Sequence, residues 1–193
     1  MNALITYVQN KIMKVLNVVP VVQHYHDRLI FQWQQNTLTI QKEGNHATVT
    51  LDKSAIDDTA DVLYVVKLQN INAVIDIIVE FERLIQLIRY HLRLHGQTGN
   101  SHQIEDAIYI DWPSPWFNRY AINIVDIGTF YKVYIYNVHS PIEDKIPNYS
   151  DIVKKIFNVD YRDIEEEIFK VHYRDIDQFI DDVFNRFYPR RIY

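Results

Sequence analysis

The chain has 193 residues, 48% of them apolar, 13% aromatic and 23% charged, with a formal net charge of −5 at pH 7. This is the composition of a globular domain whose core needs no metal or disulfide staple, and the absence of cysteine removes thiol nucleophiles, thiolate zinc sites and iron–sulfur clusters. With glycine only at 44, 96, 99 and 128, neither the dinucleotide fingerprint nor the P-loop can be written, and no serine sits in a Gly-x-Ser-x-Gly elbow.

Residues 2–16 place Leu4, Ile5, Val8, Ile12, Val15 and Leu16 at helical spacing, and Pro20 closes that helix. A period-two pattern follows: Leu29, Phe31 and Trp33, then Leu38 and Ile40, then Ala47, Val49 and Leu51, the last two runs alternating with threonine. Three short strands joined by tight turns make an antiparallel meander with one wet face. Ser54 and Asp57 resemble a capping box opening a helix of 55–68. Asn70 or Asn72 caps a stronger helix in which Val74, Ile78, Phe81, Ile85, Ile88 and Leu92 keep four-three spacing up to a left-handed stop at Gly96.

The order then repeats. Strands are expected around Ile108 and Ile110, Tyr120 to Ile124, and Tyr131 to Ile135, with Asp126-Ile127-Gly128-Thr129 as a hairpin connection. Ser150 caps a short helix to 158. A long helix over 161–187 follows from Phe169, Tyr173, Ile176, Ile180, Val183 and Phe187. The expectation is an α+β fold: antiparallel β-meanders packed against long amphipathic helices, in two pseudo-similar βββαα halves after an N-terminal helix. It forms one compact domain over 1–193, with sub-halves 1–96 and 97–193.

Three stretches carry candidate chemistry. His91 and His95 lie one helical turn apart, the spacing at which two imidazoles share a metal, with His102 the nearest third ligand in sequence. The Glu of an H-E-x-x-H peptidase site is absent, and two histidines in a last helical turn also suit the dipole. His24-Tyr25-His26 resembles the His-hydrophobic-His element of rolling-circle replication nucleases, but Asp27 and Arg28 follow where apolar residues belong, and solvent-facing histidines are the simpler reading. In the run 111–120, Trp112 and Trp116 flank a Pro-Ser-Pro core, with Phe117 and Arg119 beside it. A rigid aromatic loop loses little entropy on binding, and Trp, Tyr and Arg dominate interface energies.

These readings favour a non-enzymatic cytoplasmic protein-binding or regulatory protein, acting through the Trp112–Arg119 loop and the acidic face of the last helix, with no cofactor. The expected partner is another protein, a second copy of the chain included. Nucleic acid and membrane are not expected, because no basic stripe and no apolar span of about 18 residues occurs; the N-terminal run has no signal-peptide pattern. Abundant Ile, Asn, Asp and Tyr with scarce glycine suggests an AT-rich genome, such as that of a phage or mobile element, where inhibitors and assembly factors are frequent. Two other classes stay open: a metal-dependent enzyme using His91, His95 and a distant ligand, and a nucleic-acid binder using Arg89, Arg93 and Arg190-Arg191.

Overall fold

A computed structural model describes residues 2–53, 62–104, 107–113, 119–138 and 164–188. The chain divides into two units, Met1–Leu87 with Ser101–Ile108, and Ile88–Asn100 with Tyr109–Tyr193. The fold is α+β, built from two five-stranded antiparallel meanders and amphipathic helices.

In the first unit, α1 (Asn2–Leu16) precedes β1 (Val21–His24), β2 (Arg28–Trp33), β3 (Asn36–Glu43), β4 (His46–Lys53) and β5 (Val62–Lys67). These strands lie side by side in chain order. A 3-10 turn, Leu68–Asn70, then leads into α2 (Ile71–Leu94). The alternation of apolar residue and threonine sets the register. Leu38 stands opposite Leu51, and Ile40 opposite Val49, on the buried face; Thr39 stands opposite Thr50 on the other. Gly44, at φ +63°, opens the β3–β4 turn in a conformation that a side chain resists. The core joins Val8 and Ile12 of α1 to Phe31, Leu38 and Val49 of the sheet and Ile75 and Ile78 of α2. Each such side chain contributes about 1.5–3 kcal/mol by leaving water. Among the described residues one carboxylate enters this interior: Glu82, 4% exposed, accepts hydrogen bonds from Asn36 Nδ2 and Gln86 Nε2, both at 3.3 Å.

The second sheet runs in the order β10-β9-β8-β7-β6, from β6 (Asn100–Ile104), β7 (Ala107–Pro113), β8 (Arg119–Asp126), β9 (Phe130–Val138) and β10 (Ile164–His172). The Asp126–Phe130 hairpin closes through Ile127 N–H to the Phe130 carbonyl, and the Asp126 side chain accepts the Gly128 N–H at 2.7 Å. α3 (Ile176–Phe187) buries Ile176, Ile180, Val183 and Phe184. It is tied to β10 where Phe179 meets Phe169 and where Arg186 grips Glu167 with two guanidinium nitrogens. The last turns of α2 also belong to this unit. Gln97 N–H reaches the Leu92 carbonyl and Gly96 N–H the Arg93 carbonyl, a Schellman ending with Gly96 at φ +68°.

Two helices expected from the sequence are corrected. Of the helix 55–68, residues 62–67 are strand β5, because the run Val62-Leu63-Tyr64-Val65-Val66 favours a pleated, half-buried surface over a helix. Of the helix 161–187, residues 164–172 are strand β10, 173–175 a turn and 176–187 α3. Its four-three series merged Phe169 of the strand with Ile176, Ile180 and Val183 of α3. The acidic helix face is therefore divided between Glu165, Glu166 and Glu167 in a strand and Asp177, Asp181 and Asp182 in a helix. Strands β1 and β6 were not anticipated. The expected helix from Ser150 to 158 lies outside the described residues, as does the Ser54 cap.

Candidate functional site

Strands β9 and β10 pair antiparallel, so that Phe130 stands opposite His172, Lys132 opposite Lys170, and Tyr134 opposite Ile168. Strand alternation puts these six on one face, the other being taken by Val133, Ile135 and Val171 of the core. Lys132 and Lys170 are like charges on directly opposed positions, which destabilises a sheet. The repulsion is relieved by divergence. Lys132 Nζ lies over the Tyr134 ring at 4.8 Å from its centroid, and Lys170 Nζ over the Phe130 ring at 4.3 Å. The two ammonium groups thus lean in opposite directions along the strand pair, each toward the negative face of a ring.

The strip continues past the end of β10. The His172 ring meets Phe130 edge-on at 5.3 Å and Tyr173 at 4.6 Å, and His172 Nδ1 accepts the Arg174 backbone N–H at 3.2 Å. The Arg174 guanidinium sits over the Tyr173 ring and donates from Nε to its hydroxyl at 2.9 Å, which holds the guanidinium further toward its charged form. Among the described residues, Lys132, Lys170 and Arg174 have no ion pair with a carboxylate. In a chain of net charge −5, three such cations interleaved with Phe130, Tyr134 and Tyr173 form a distinctive surface. Lys170, Arg174 and Tyr173 are exposed, as is Ile168 at 54%.

The strip was not anticipated from the sequence. Its signal was present: Phe130, Lys132 and Tyr134 alternate with the apolar Tyr131, Val133 and Ile135, so the aromatic and basic positions share a face. Its other half was hidden by reading 164–172 as helix, which scatters Ile168, Lys170 and His172 around a cylinder.

The paired histidines each lie against an aromatic ring. His91 stacks on Phe184 at 5.0 Å, and His95 on Tyr188 at 4.4 Å, so one i, i+4 pair on α2 is matched by one at the end of α3. His91 Nε2 is 2.7 Å from Asp181 Oδ1, a close approach that is not aligned as a hydrogen bond. Burial, and secondarily the charge of His91, lowers the His95 pKa from its usual value. Of His102 the structure describes the backbone, in β6. Among the described residues, no three His, Asp or Glu side chains gather as a metal site. His24 ends β1 and His26 lies in the turn before β2; both are exposed.

Trp112 falls near the end of β7 and Arg119 opens β8; Trp116 and Phe117 lie outside the described residues. Arg93 Nε donates to the Arg89 carbonyl on α2, and Arg190-Arg191 lies outside the described residues. In the first unit, a cleft of about 410 Å³ is lined by Leu4, Tyr7, Lys42, Leu68 and Asn72. Its phenol is already engaged: Tyr7 donates to Asp76 Oδ1 at 2.7 Å, and Lys11 Nζ lies 2.8 Å from the same oxygen. Burial, then the Asp76 hydrogen bond and charge, push the Tyr7 pKa up to about 12. No described helix is long and apolar enough to cross a membrane. Comparison of the chain with protein-family models, curated proteins and solved structures gave no match.

Proposed function

We propose that the chain is a binding protein whose working surface is the β9–β10 strip and whose ligand is polyanionic. The observation that carries this reading is the Lys132–Lys170 opposition: two lysines on directly opposed positions of one sheet face, neither in an ion pair with a carboxylate among the described residues. An anion placed between them accepts from both ammonium groups at once, and these charge-assisted bonds replace the two ring contacts, so the pair binds an anion better than a single surface lysine does. Retention on immobilised polyphosphate at about 50 mM salt tests the reading, since such binding is strongest at low ionic strength. Retention that is lost in the Lys132→Gln/Lys170→Gln double variant supports it; no retention, or retention unchanged in that variant, overturns it.

A second reading, a docking surface for a second copy of the chain, is favoured by the outer face of the first sheet. Ile30, Gln32, Thr37, Thr39, Thr48 and Thr50 form an uncharged field there. It ends on Leu63 and Val65 of β5, exposed at 60% and 68%. Among the described residues, charges stand at its rim, at Arg28, Glu43, Asp52 and Lys67. Two copies of an acidic chain can meet on such a field without opposing like charges. Sedimentation of the native chain as a dimer, and of Leu63→Glu/Val65→Glu as a monomer, supports this reading; a monomeric native chain removes it.

A further inference from the structure

Resting on the polyanion reading of the β9–β10 strip, we infer that its ligand is a single-stranded nucleic acid, with backbone phosphate between Lys132 and Lys170 and bases on the rings of Phe130 and Tyr134. The ring positions distinguish this ligand from other polyanions. Each lysine covers the face of one ring, Lys170 that of Phe130 and Lys132 that of Tyr134. A phosphate arriving between the strands draws both ammonium groups inward, toward each other and off the rings. The two ring faces are then uncovered on either side of the bound phosphate, where the flanking bases of an unpaired strand lie. Phosphate capture and base stacking are therefore coupled: the first exposes the platform that the second uses.

The spacing fits. Phe130 and Tyr134 are four residues apart on one strand, about 13 Å, with the lysine row midway. Arg174 over Tyr173 extends the same charge-and-ring alternation beyond Phe130. A duplex keeps its base faces stacked and offers these rings nothing, whereas an unpaired strand presents a π-face at every base. Polyphosphate supplies charge without bases, and a phosphopeptide supplies phosphate without a regular row of planar rings.

Fluorescence anisotropy with a labelled oligothymidine, with a labelled duplex of the same length, and with polyphosphate as competitor separates these ligands. The native chain is expected to bind the single strand and to prefer it to the duplex. Three cations set a slope of about −2 for log K against log salt. Phe130→Leu/Tyr134→Leu is expected to weaken oligothymidine binding about ten-fold or more, while leaving polyphosphate binding unchanged. Phe130→Tyr, which keeps a ring, retains single-strand binding, and Lys132→Gln/Lys170→Gln weakens both ligands. A thermal melt matching the native one certifies each variant as folded. If the duplex binds as tightly as the single strand, or if the leucine variant binds oligothymidine normally, the single-strand inference fails while the polyanion reading stands. If neither oligothymidine nor polyphosphate binds, both fail.

Discussion

Lys132 on β9 and Lys170 on β10 occupy directly opposed positions, yet their ammonium groups point apart, one over Tyr134 and the other over Phe130. The sheet tolerates the like-charge pair because each cation finds a ring. A charge reversal at one side should then stabilise the unliganded fold. Lys170→Glu replaces repulsion with a cross-strand ion pair worth roughly 0.5 kcal/mol. The melting temperature is expected to rise by about 1–2 °C, while anion binding is lost. Calorimetry beside the polyphosphate assay checks both halves, and a fall in melting temperature would show that the pair was not strained.

Tyr7 gives an alkaline signature to the first unit. Its pKa is raised to about 12, whereas an unfolded tyrosine titrates near 10. The phenol therefore contributes stability in full below pH 10 and loses it as pH rises toward 12. Tyr7→Phe should cost about 1 kcal/mol at pH 7, through the lost Asp76 bond, and should flatten the decline above pH 10. Urea midpoints at pH 7, 9 and 11 measure this.

Acid acts on the second unit through His95 and Glu167. The His95 pKa is lowered, so below the ordinary histidine value of 6.5 the unfolded chain takes up a proton that the folded imidazole resists. Stability is expected to fall as pH drops through about 6.5 and to go on falling until the folded imidazole itself takes up a proton. Glu167 works in the same direction at lower pH. The hydrogen bonds from Arg186 hold its pKa below the ordinary value against the opposing effect of burial, and its contribution is lost as it protonates. His95→Gln should flatten the first decline and Arg186→Gln the second, both read from denaturant midpoints across pH.

Gly96 ends α2 at φ +68°, and a β-carbon built there meets no atom within 4 Å. The cost of Gly96→Ala is therefore conformational and not steric, about 1 kcal/mol. Gly96→Asn should cost less, because asparagine tolerates the left-handed region. Thermal melts of the two variants rank them.

The meander of the first unit was legible because leucine, valine and isoleucine alternate with threonine strictly enough to fix both period and face. α2 was legible for the same reason at period 3.6. The misreadings share one cause. From Val62 to Val66 every residue is apolar, and a run apolar on both faces carries no period to separate strand from helix. In 164–187, the aromatic Phe169 and Tyr173 happen to precede Ile176 at helical steps, and Glu165 to Glu167 are good helix formers, so the local sequence favoured a helix where pairing with β9 makes a strand. The β9–β10 strip was missed because it depends on a pairing between segments about forty residues apart, which no local window contains. Lys132 and Lys170 looked like scattered surface charges until the register brought them together.

The Asn36–Glu82–Gln86 contact carries an evolutionary consequence. Replacing Glu82 alone by leucine strands the buried Asn36 amide and takes a partner from the half-buried Gln86, and replacing either amide alone withdraws a donor from a carboxylate shut away from water. Exchanging all three for hydrocarbon of similar bulk would instead be nearly neutral. Mutational drift at these positions is therefore expected to proceed in concerted jumps, so that descendants of this chain inherit either the whole polar trio or an oily one, with few mixtures surviving between.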